Sequence, residues 1–125
     1  MASTEPRGLR QIIKALGYSW QGLKAAWVHE ASFRLEAQLA AILVPIALYL
    51  GANGVERALL AGSVLMVPAM ELMNGGLEAI VDKTTPEQHA LAGRAKDMGS
   101  AAVFICMLIC SLTWLAILLP RFEFF

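Results

Sequence analysis

Three stretches of the chain are apolar over lengths that suit helices crossing a membrane. The third, GSAAVFICMLICSLTWLAILL from Gly99 to Leu119, contains no charged residue. The second runs from about Ala58 to Val81, and the first, AQLAAILVPIALYL from Ala37 to Leu50, reaches spanning length only with the residues before it. A span needs about 20 residues, and lipid admits only helices or closed barrels. Because no stretch alternates between apolar and polar residues, the pattern predicts three transmembrane helices. Their expected positions are about 31–51, 56–82 and 98–119.

The segment before the first span has the pattern of an amphipathic helix. Its apolar residues recur at i, i+3 and i+4 and share one face: Leu9, Ile12, Ile13, Leu16, Trp20, Leu23 and Trp27. Basic and polar residues lie along another side: Arg10, Lys14, Gln21 and Lys24. Such a helix, expected over residues 6–29, lies in the membrane surface with its tryptophans at headgroup depth. A helix that packs against a partner protein is the alternative.

The composition agrees with a single membrane domain covering residues 1–125. Hydrophobic residues make up 58% of the chain, above the roughly 45–50% of ordinary soluble domains. The formal net charge is zero, so the overall charge gives no case for binding nucleic acid. Cys106 and Cys110 lie in the third apolar stretch on one helical face, where a disulfide between them is unfavourable. We expect both to act as apolar side chains.

The distribution of Lys and Arg predicts how the chain is oriented in the membrane. Eight of the ten lie before the first span or between the second and third: Arg7, Arg10, Lys14, Lys24, Arg34, Lys83, Arg94 and Lys96. The other two, Arg57 and Arg121, lie on the opposite side. Because cytoplasmic segments are enriched in basic residues, the N-terminus and a loop at 83–97 are expected in the cytoplasm.

A row of polar residues interrupts the second span. Glu71, Asn74, Glu78 and Asp82 project within about 80° of one helix face. Each acid placed in mid-bilayer costs about 2.5–3.5 kcal/mol on insertion scales, and such residues usually face a cavity or the interior of a bundle. A protonated glutamate that only joins neighbouring helices is the alternative for Glu71. The alignment of four polar residues favours a functional site.

The depth of each acid suggests its chemistry. In the predicted orientation Glu71 lies in the inner half of the span, Glu78 near the cytoplasmic interface and Asp82 at the mouth. A carboxylate removed from water is a better proton acceptor. One nearer water stays ionised and can hold Mg²⁺ together with substrate phosphates. The arrangement suits a reaction between a lipid-dissolved group and a water-soluble one.

The loop after the second span adds charged groups on the same side. It contains Glu87, His89, Arg94, Lys96 and Asp97, and basic residues beside carboxylates suit a metal-bound polyphosphate. An ordinary basic cytoplasmic loop is the alternative. The sequence has neither G-x-x-x-x-G-K-[ST] nor the glycine-rich loop of protein kinases. A nucleotide would therefore bind in another way.

Three blocks of the sequence carry a recognisable pattern: GYSWQGLKAAWVHEASFR, ELMNGGLEAIVDK and GRAKDMGSAAV. They closely resemble the prokaryotic integral-membrane diacylglycerol kinases, in order and spacing, over roughly residues 8–118. The polar positions of that family's middle block are all kept, here as Glu71, Asn74, Glu78, Asp82 and Lys83. One departure is the pair Gly75–Gly76, where the family usually has Ser or Thr and then a small residue. A hydroxyl is lost there, but no carboxylate.

The resemblance implies a homotrimer in the bacterial inner membrane, with a surface helix and three spans per subunit. The activity it implies is transfer of the γ-phosphoryl group of MgATP to diacylglycerol, giving phosphatidic acid, at sites shared between subunits. By position, Glu71 resembles the general base and Asn74 the residue that orients it or the phosphoryl group. Glu30 and Glu78 resemble the ligands of Mg²⁺.

The resemblance also implies contacts with both substrates. Those expected to contact nucleotide are Tyr18, Glu30, Glu78, Glu87, Gln88, His89, Lys96 and Asp97. Those expected to line the lipid substrate are Gln11, Ala15, Trp20, Lys24, Trp27, Ser32, Arg34, Glu36, Tyr49, Arg57, Glu71, Ser100 and Trp114.

Three other functions remain open from the sequence. A related kinase acting on a polyprenol such as undecaprenol would carry the same acids. A small proton-coupled transporter would also hold an intramembrane glutamate, but it needs no basic loop beside a graded row of acids. A structural membrane subunit would leave the alignment of the acids without a cause.

Overall fold

Helices account for the part of the chain that the computed structural model describes, residues 8–84 and 89–122. Four α-helices follow one another: α1 Leu9–His29, α2 Ala31–Leu50, α3 Gly54–Thr84 and α4 Ala90–Leu118. A short 3₁₀ turn, Leu119–Phe122, continues from the end of α4. This confirms the predicted all-α architecture.

Three of the helices are long and apolar enough to cross a membrane: α2, α3, and α4 with its 3₁₀ extension. The three segments predicted to span therefore form helices that could do so by length and composition. At 1.5 Å per residue, the 20 residues of α2 are about 30 Å long, the thickness of the hydrocarbon core. α3 and α4 have 31 and 29 residues and are longer than a bilayer core requires.

The boundary before α4 differs from the prediction. Residues 90–97, expected in a loop, form the first two turns of the helix. His89 caps this end, since its Nδ1 accepts a hydrogen bond from the backbone N–H of Leu91 at 3.0 Å. The segment LAGRAKD that follows consists mainly of good helix formers, so helix formation does not stop where the hydropathy falls.

Helix α3 lies between α2 and α4 and packs against both. Its buried residues include Leu60, Ser63 and Val64, and those of the neighbouring helices include small or slender ones such as Ala47 on α2 and Cys106 on α4. Small residues let membrane helices approach closely. Many large apolar side chains of the three spans remain exposed in the single chain, as expected of helices that face lipid or other subunits.

The end of the bundle near residues 50–57 is closed by side chains that bond to free backbone groups. The N–H of Glu56 bonds to Oδ1 of Asn53, which caps α3 at 2.9 Å. Arg57 Nε donates to the carbonyl of Leu48 at 3.1 Å, and Arg121 bonds to Glu56 and to the carbonyl of Leu50. The carbonyl groups at the end of α2 are therefore satisfied by two arginines.

A single residue, Glu30, separates α1 from α2. Its extended backbone, with φ −118° and ψ 103°, turns the chain between the two helices. Arg34 holds the joint, because its Nη1 donates to the carbonyls of Trp27 at 2.7 Å and Val28 at 3.2 Å. The sequence-based placement of Glu30 at the junction of the first two helices is confirmed.

Candidate active site

The row of polar residues on α3 faces the other helices. The side chains of Glu71 and Asn74 are buried, with 6% and 8% of their surfaces exposed. Glu78 is half-buried and Asp82 is exposed. The row therefore runs from the inside of the bundle to one end of it, over about 16 Å of helix. This arrangement matches a graded site and not a set of acids facing acyl chains.

Charged groups from α3, from α4 and from the joint between α1 and α2 lie near Glu78. Its carboxyl group lies within electrostatic range of Glu30, Glu71, Asp82 and Lys96. Lys96 on α4 forms an ion pair with Asp82, with Nζ 2.6 Å from Oδ1. One cation and four carboxylates thus lie along the row, from the buried Glu71 to the exposed Asp82. Repulsion among the carboxylates makes the row favourable for an additional cation.

A cavity of about 610 Å³ between α1 and α3 brings Glu30 and Glu71 together. Small residues on both helices make the space, among them Gly22 and Gly75. A Cβ atom at Gly75 would lie 3.3 Å from the carboxyl carbon of Glu30. The absence of a side chain at this position therefore leaves the carboxyl group of Glu30 close to the backbone of α3.

Glu36 is a further member of the site that the sequence did not reveal as a partner of Glu71. It lies on the buried face of α2, and its carboxyl group is close enough to that of Glu71 for the two to interact electrostatically. Oε1 of Glu36 is buried and has no hydrogen-bond partner among the residues that the structure describes. The signal available in the sequence was an acid on an otherwise apolar helix face.

We expect the two substitutions Glu36→Gln and Glu36→Leu to separate the polar character of Glu36 from simple burial. Glutamine keeps a polar group beside Glu71 and should hold kcat within a few-fold of the wild type. Leucine fills the space but leaves Glu71 beside an apolar side chain, and a polar contact with a charged group is worth about 1.5–3 kcal/mol, or roughly 10–100-fold in rate. Steady-state kinetics on both variants measures the difference. Equal losses in the two variants would contradict a role for a polar side chain at position 36.

Several residues expected at the substrates lie away from the acids within one chain. Tyr49 is 86% exposed, and Arg57 is bound to the carbonyl of Leu48, about 21 Å along α3 from Glu71. The indole N–H of Trp114 donates to the carbonyl of Leu60 at 3.2 Å, about 16 Å from Glu71 along α3. Arg57 and Trp114 thus bond to backbone groups of the same chain, and Tyr49 is exposed. Their contact with lipid stays a prediction.

The other predicted positions fall into three groups. Tyr18, Trp20, Lys24 and Trp27 are exposed on α1, with Nζ of Lys24 5.9 Å from the centre of the Trp20 ring. Arg34 donates a hydrogen bond to a carbonyl at the end of α1. Ser32, Asp97 and Ser100 are exposed. Glu87 and Gln88 lie outside the described residues.

The carboxylates of the acid row and of Glu30 are the groups that could hold a magnesium ion. In the described ranges, 8–84 and 89–122, no group of three or more His, Cys, Asp or Glu side chains is arranged to hold a metal ion. Mg²⁺ is nevertheless commonly held by one or two carboxylates together with substrate phosphates and water. Glu30 and Glu78 act on each other electrostatically. The pair therefore fits a metal that arrives with a nucleotide.

The fold and the row of acids define a small helical membrane protein with a charged site at one end of its bundle. The family profile described as prokaryotic diacylglycerol kinase matches residues 17–118. The chain is 47% identical to the diacylglycerol kinase of Escherichia coli K12 over 115 residues, covering 92% of this chain and 94% of the relative. It is 47% identical to that of Haemophilus influenzae over 111 residues, covering 89% and 94%. It is 43% identical to that of Pseudomonas aeruginosa over 112 residues, covering 90% and 91%. The chain belongs to the prokaryotic diacylglycerol kinase family.

Proposed function

We propose that the chain transfers the γ-phosphoryl group of ATP to the hydroxyl group of diacylglycerol at the acid row of α3. Membership of the family carries the reaction class. The observation that supports the location is the buried Glu71 at the inner end of a row that opens onto Lys96. Such a row connects a group dissolved in lipid with one dissolved in water.

Glu71 is proposed as the general base that accepts the proton of the lipid hydroxyl. It is buried beside Glu36, and a general base acts from within hydrogen-bond reach of the proton that it accepts. Asn74 lies nearly one turn further along the same face and is also buried. Its amide is proposed to orient Glu71 or the transferred phosphoryl group. As the hydroxyl oxygen bonds to phosphorus, the bond from phosphorus to the bridging oxygen breaks and ADP leaves.

Glu30 and Glu78 are proposed to hold the Mg²⁺ that accompanies ATP. When bound, the metal neutralises charge on the phosphate oxygens during transfer. Lys96 is proposed to attract the same phosphates. Its ion pair with Asp82 holds its side chain at the open end of the row. Tyr18, His89 and Asp97, together with Glu87 and Gln88, are proposed to complete the nucleotide contacts. The protein's own contribution is positioning and charge, which account for most phosphoryl-transfer catalysis.

The lipid is proposed to enter along the groove between α1, α2 and α3. The cavity that contains Glu30 and Glu71 and an adjoining apolar groove of about 590 Å³ share Leu23 and Leu72. The groove continues past Phe33 and Pro45 and has almost no polar lining. A glycerol hydroxyl placed at Glu71 would therefore have acyl chains lying along apolar residues. The exposed aromatic residues of α1 are proposed to contact the headgroup region.

The remaining proposals concern assembly and orientation. We propose a homotrimer, because the single chain leaves much of the three spans exposed and a shared site would add residues at the open end. In the proposed orientation α1 lies in the cytoplasmic surface of the inner membrane, with the N-terminus in the cytoplasm.

Incubation of the purified protein with γ-labelled MgATP and diacylglycerol in mixed micelles tests the proposed function. We expect labelled phosphatidic acid and lipid-dependent release of ADP. Undecaprenol offered in competition separates the two lipid kinases, since preferential labelling of the polyprenol would support the alternative. Absence of any lipid-dependent ATP consumption would reject both kinases and leave the transporter and the structural subunit.

A further inference from the structure

Gly99 on α4 occupies a position where any side chain would meet Asn74. A Cβ atom built on Gly99 would overlap Oδ1 of Asn74 and would lie 3.2 Å from its Cγ. The same atom would lie 3.2 Å from Cδ2 of Leu77. The amide oxygen of Asn74 therefore rests against the bare backbone of α4, in the space that a side chain at position 99 would fill.

The Asn74 amide is enclosed at this contact. The residue is only 8% exposed, and its Oδ1 is fully buried without a hydrogen-bond partner among the described residues. Burying an amide oxygen without a donor is costly, and Oδ1 accepts no hydrogen bond here, so hydrogen bonding does not explain why the amide lies at this place. The close approach of α4 at Gly99 explains it, because α3 and α4 pack together.

We propose that Gly99 is a positioning residue for the phosphoryl-transfer site and acts by fixing the side chain of Asn74. This inference rests on the proposed function, in which the Asn74 amide orients Glu71 or the transferred group. The atom that a Cβ would displace is the end of a side chain and not backbone. The bundle can therefore keep its helix packing while the amide moves, so the effect falls on catalysis more than on folding.

The structure offers a matched control on the same helix. Gly93 lies six residues before Gly99, and a Cβ built there meets nothing within 4 Å among the described residues. Both changes to alanine remove a helical glycine and alter the unfolded chain in the same way. Only Gly99→Ala reaches Asn74, so the difference between the two variants reports on that contact.

Two measurements on detergent-solubilised protein test the proposal. In steady-state kinetics, Gly99→Ala is expected to lower kcat at least about tenfold, the effect typical of displaced catalytic groups, with little change in KM for ATP. Gly93→Ala should keep kcat within about twofold of the wild type, and neither variant should fall below the wild-type thermal midpoint, since alanine favours a helix over glycine. In ¹⁵N-resolved NMR spectra, the side-chain amide signals of Asn74, assigned by their loss in Asn74→Ala, should move in Gly99→Ala and stay in place in Gly93→Ala.

The outcomes distinguish this inference from the proposed function. Unmoved Asn74 signals in Gly99→Ala, or equal losses of kcat in the two glycine variants, would overturn the positioning role. A lower thermal midpoint caused by Gly99→Ala in the Asn74→Ala background would show that the clash lies elsewhere. The NMR measurement needs no turnover, so it tests the contact even if the wild-type protein fails to phosphorylate diacylglycerol.

Discussion

Replacement of Glu71 by glutamine is expected to lower kcat by about 10²–10⁴-fold, the usual contribution of a positioned general base. Glutamine keeps the size of the side chain and stays polar, but it cannot accept a proton from the lipid hydroxyl. Binding of ATP is expected to change little, because the proposed nucleotide contacts lie towards the open end of the row. Turnover of diacylglycerol and a separate nucleotide-binding titration measure the two effects.

The control for this variant is the same substitution at Glu56, near the other end of α3. Glu56 bonds to Arg121 and to the N–H of Ala52, so Glu56→Gln affects the closed end of the bundle and should leave kcat near the wild-type value. Both variants should elute from a sizing column in detergent as the wild type does. Turnover close to wild type in Glu71→Gln would remove the assignment of the base.

Glutamine at Glu78 or at Glu30 is expected to raise the Mg²⁺ concentration required for activity. Each change removes one of the two proposed anionic ligands, and even the loss of a group that only supports a metal ligand typically costs 10–100-fold in metal affinity. We therefore expect a shift of at least about tenfold, with part of kcat regained at high Mg²⁺. The double substitution should require more Mg²⁺ than either single one.

Titration of activity with Mg²⁺ at constant free ATP measures this shift. Glu56→Gln serves again as the control, since its carboxylate lies far from the nucleotide end. Neutralising Glu78 also relieves repulsion among the acids around it, so a small gain in thermal stability without Mg²⁺ would agree with the assignment. An unchanged Mg²⁺ titration for both Glu30→Gln and Glu78→Gln would exclude them as ligands.

The helices and the polar row could be predicted because each depends on spacing within one segment. Hydropathy located α2, α3 and α4, and the helical period placed Glu71, Asn74 and Glu78 on one face. The boundary before α4 was wrong because a polar helix end resembles a loop in hydropathy. Good helix formers and the His89 cap extend that helix beyond the apolar stretch.

Contacts between helices could not be predicted from spacing, since they depend on how two segments are aligned. Glu36 and Glu71 are 35 residues apart in sequence and meet only because α2 packs against α3. Arg34 was expected to line the lipid substrate. Its hydrogen bonds to the end of α1 depend on the turn at Glu30, which the sequence pattern did not show. The packing of Gly99 on Asn74 likewise follows from the approach of two helices.

The joint at Glu30 makes the geometry of the proposed site depend on the orientation of α1. With one residue between two rigid helices, and Arg34 fastening them, a tilt of α1 moves the carboxylate of Glu30 relative to α3. One residue inserted at this joint would add about 3.3 Å of extended chain and move α1 relative to the packed helices α2 and α3. The length of this connection therefore sets where α1 lies relative to the acids.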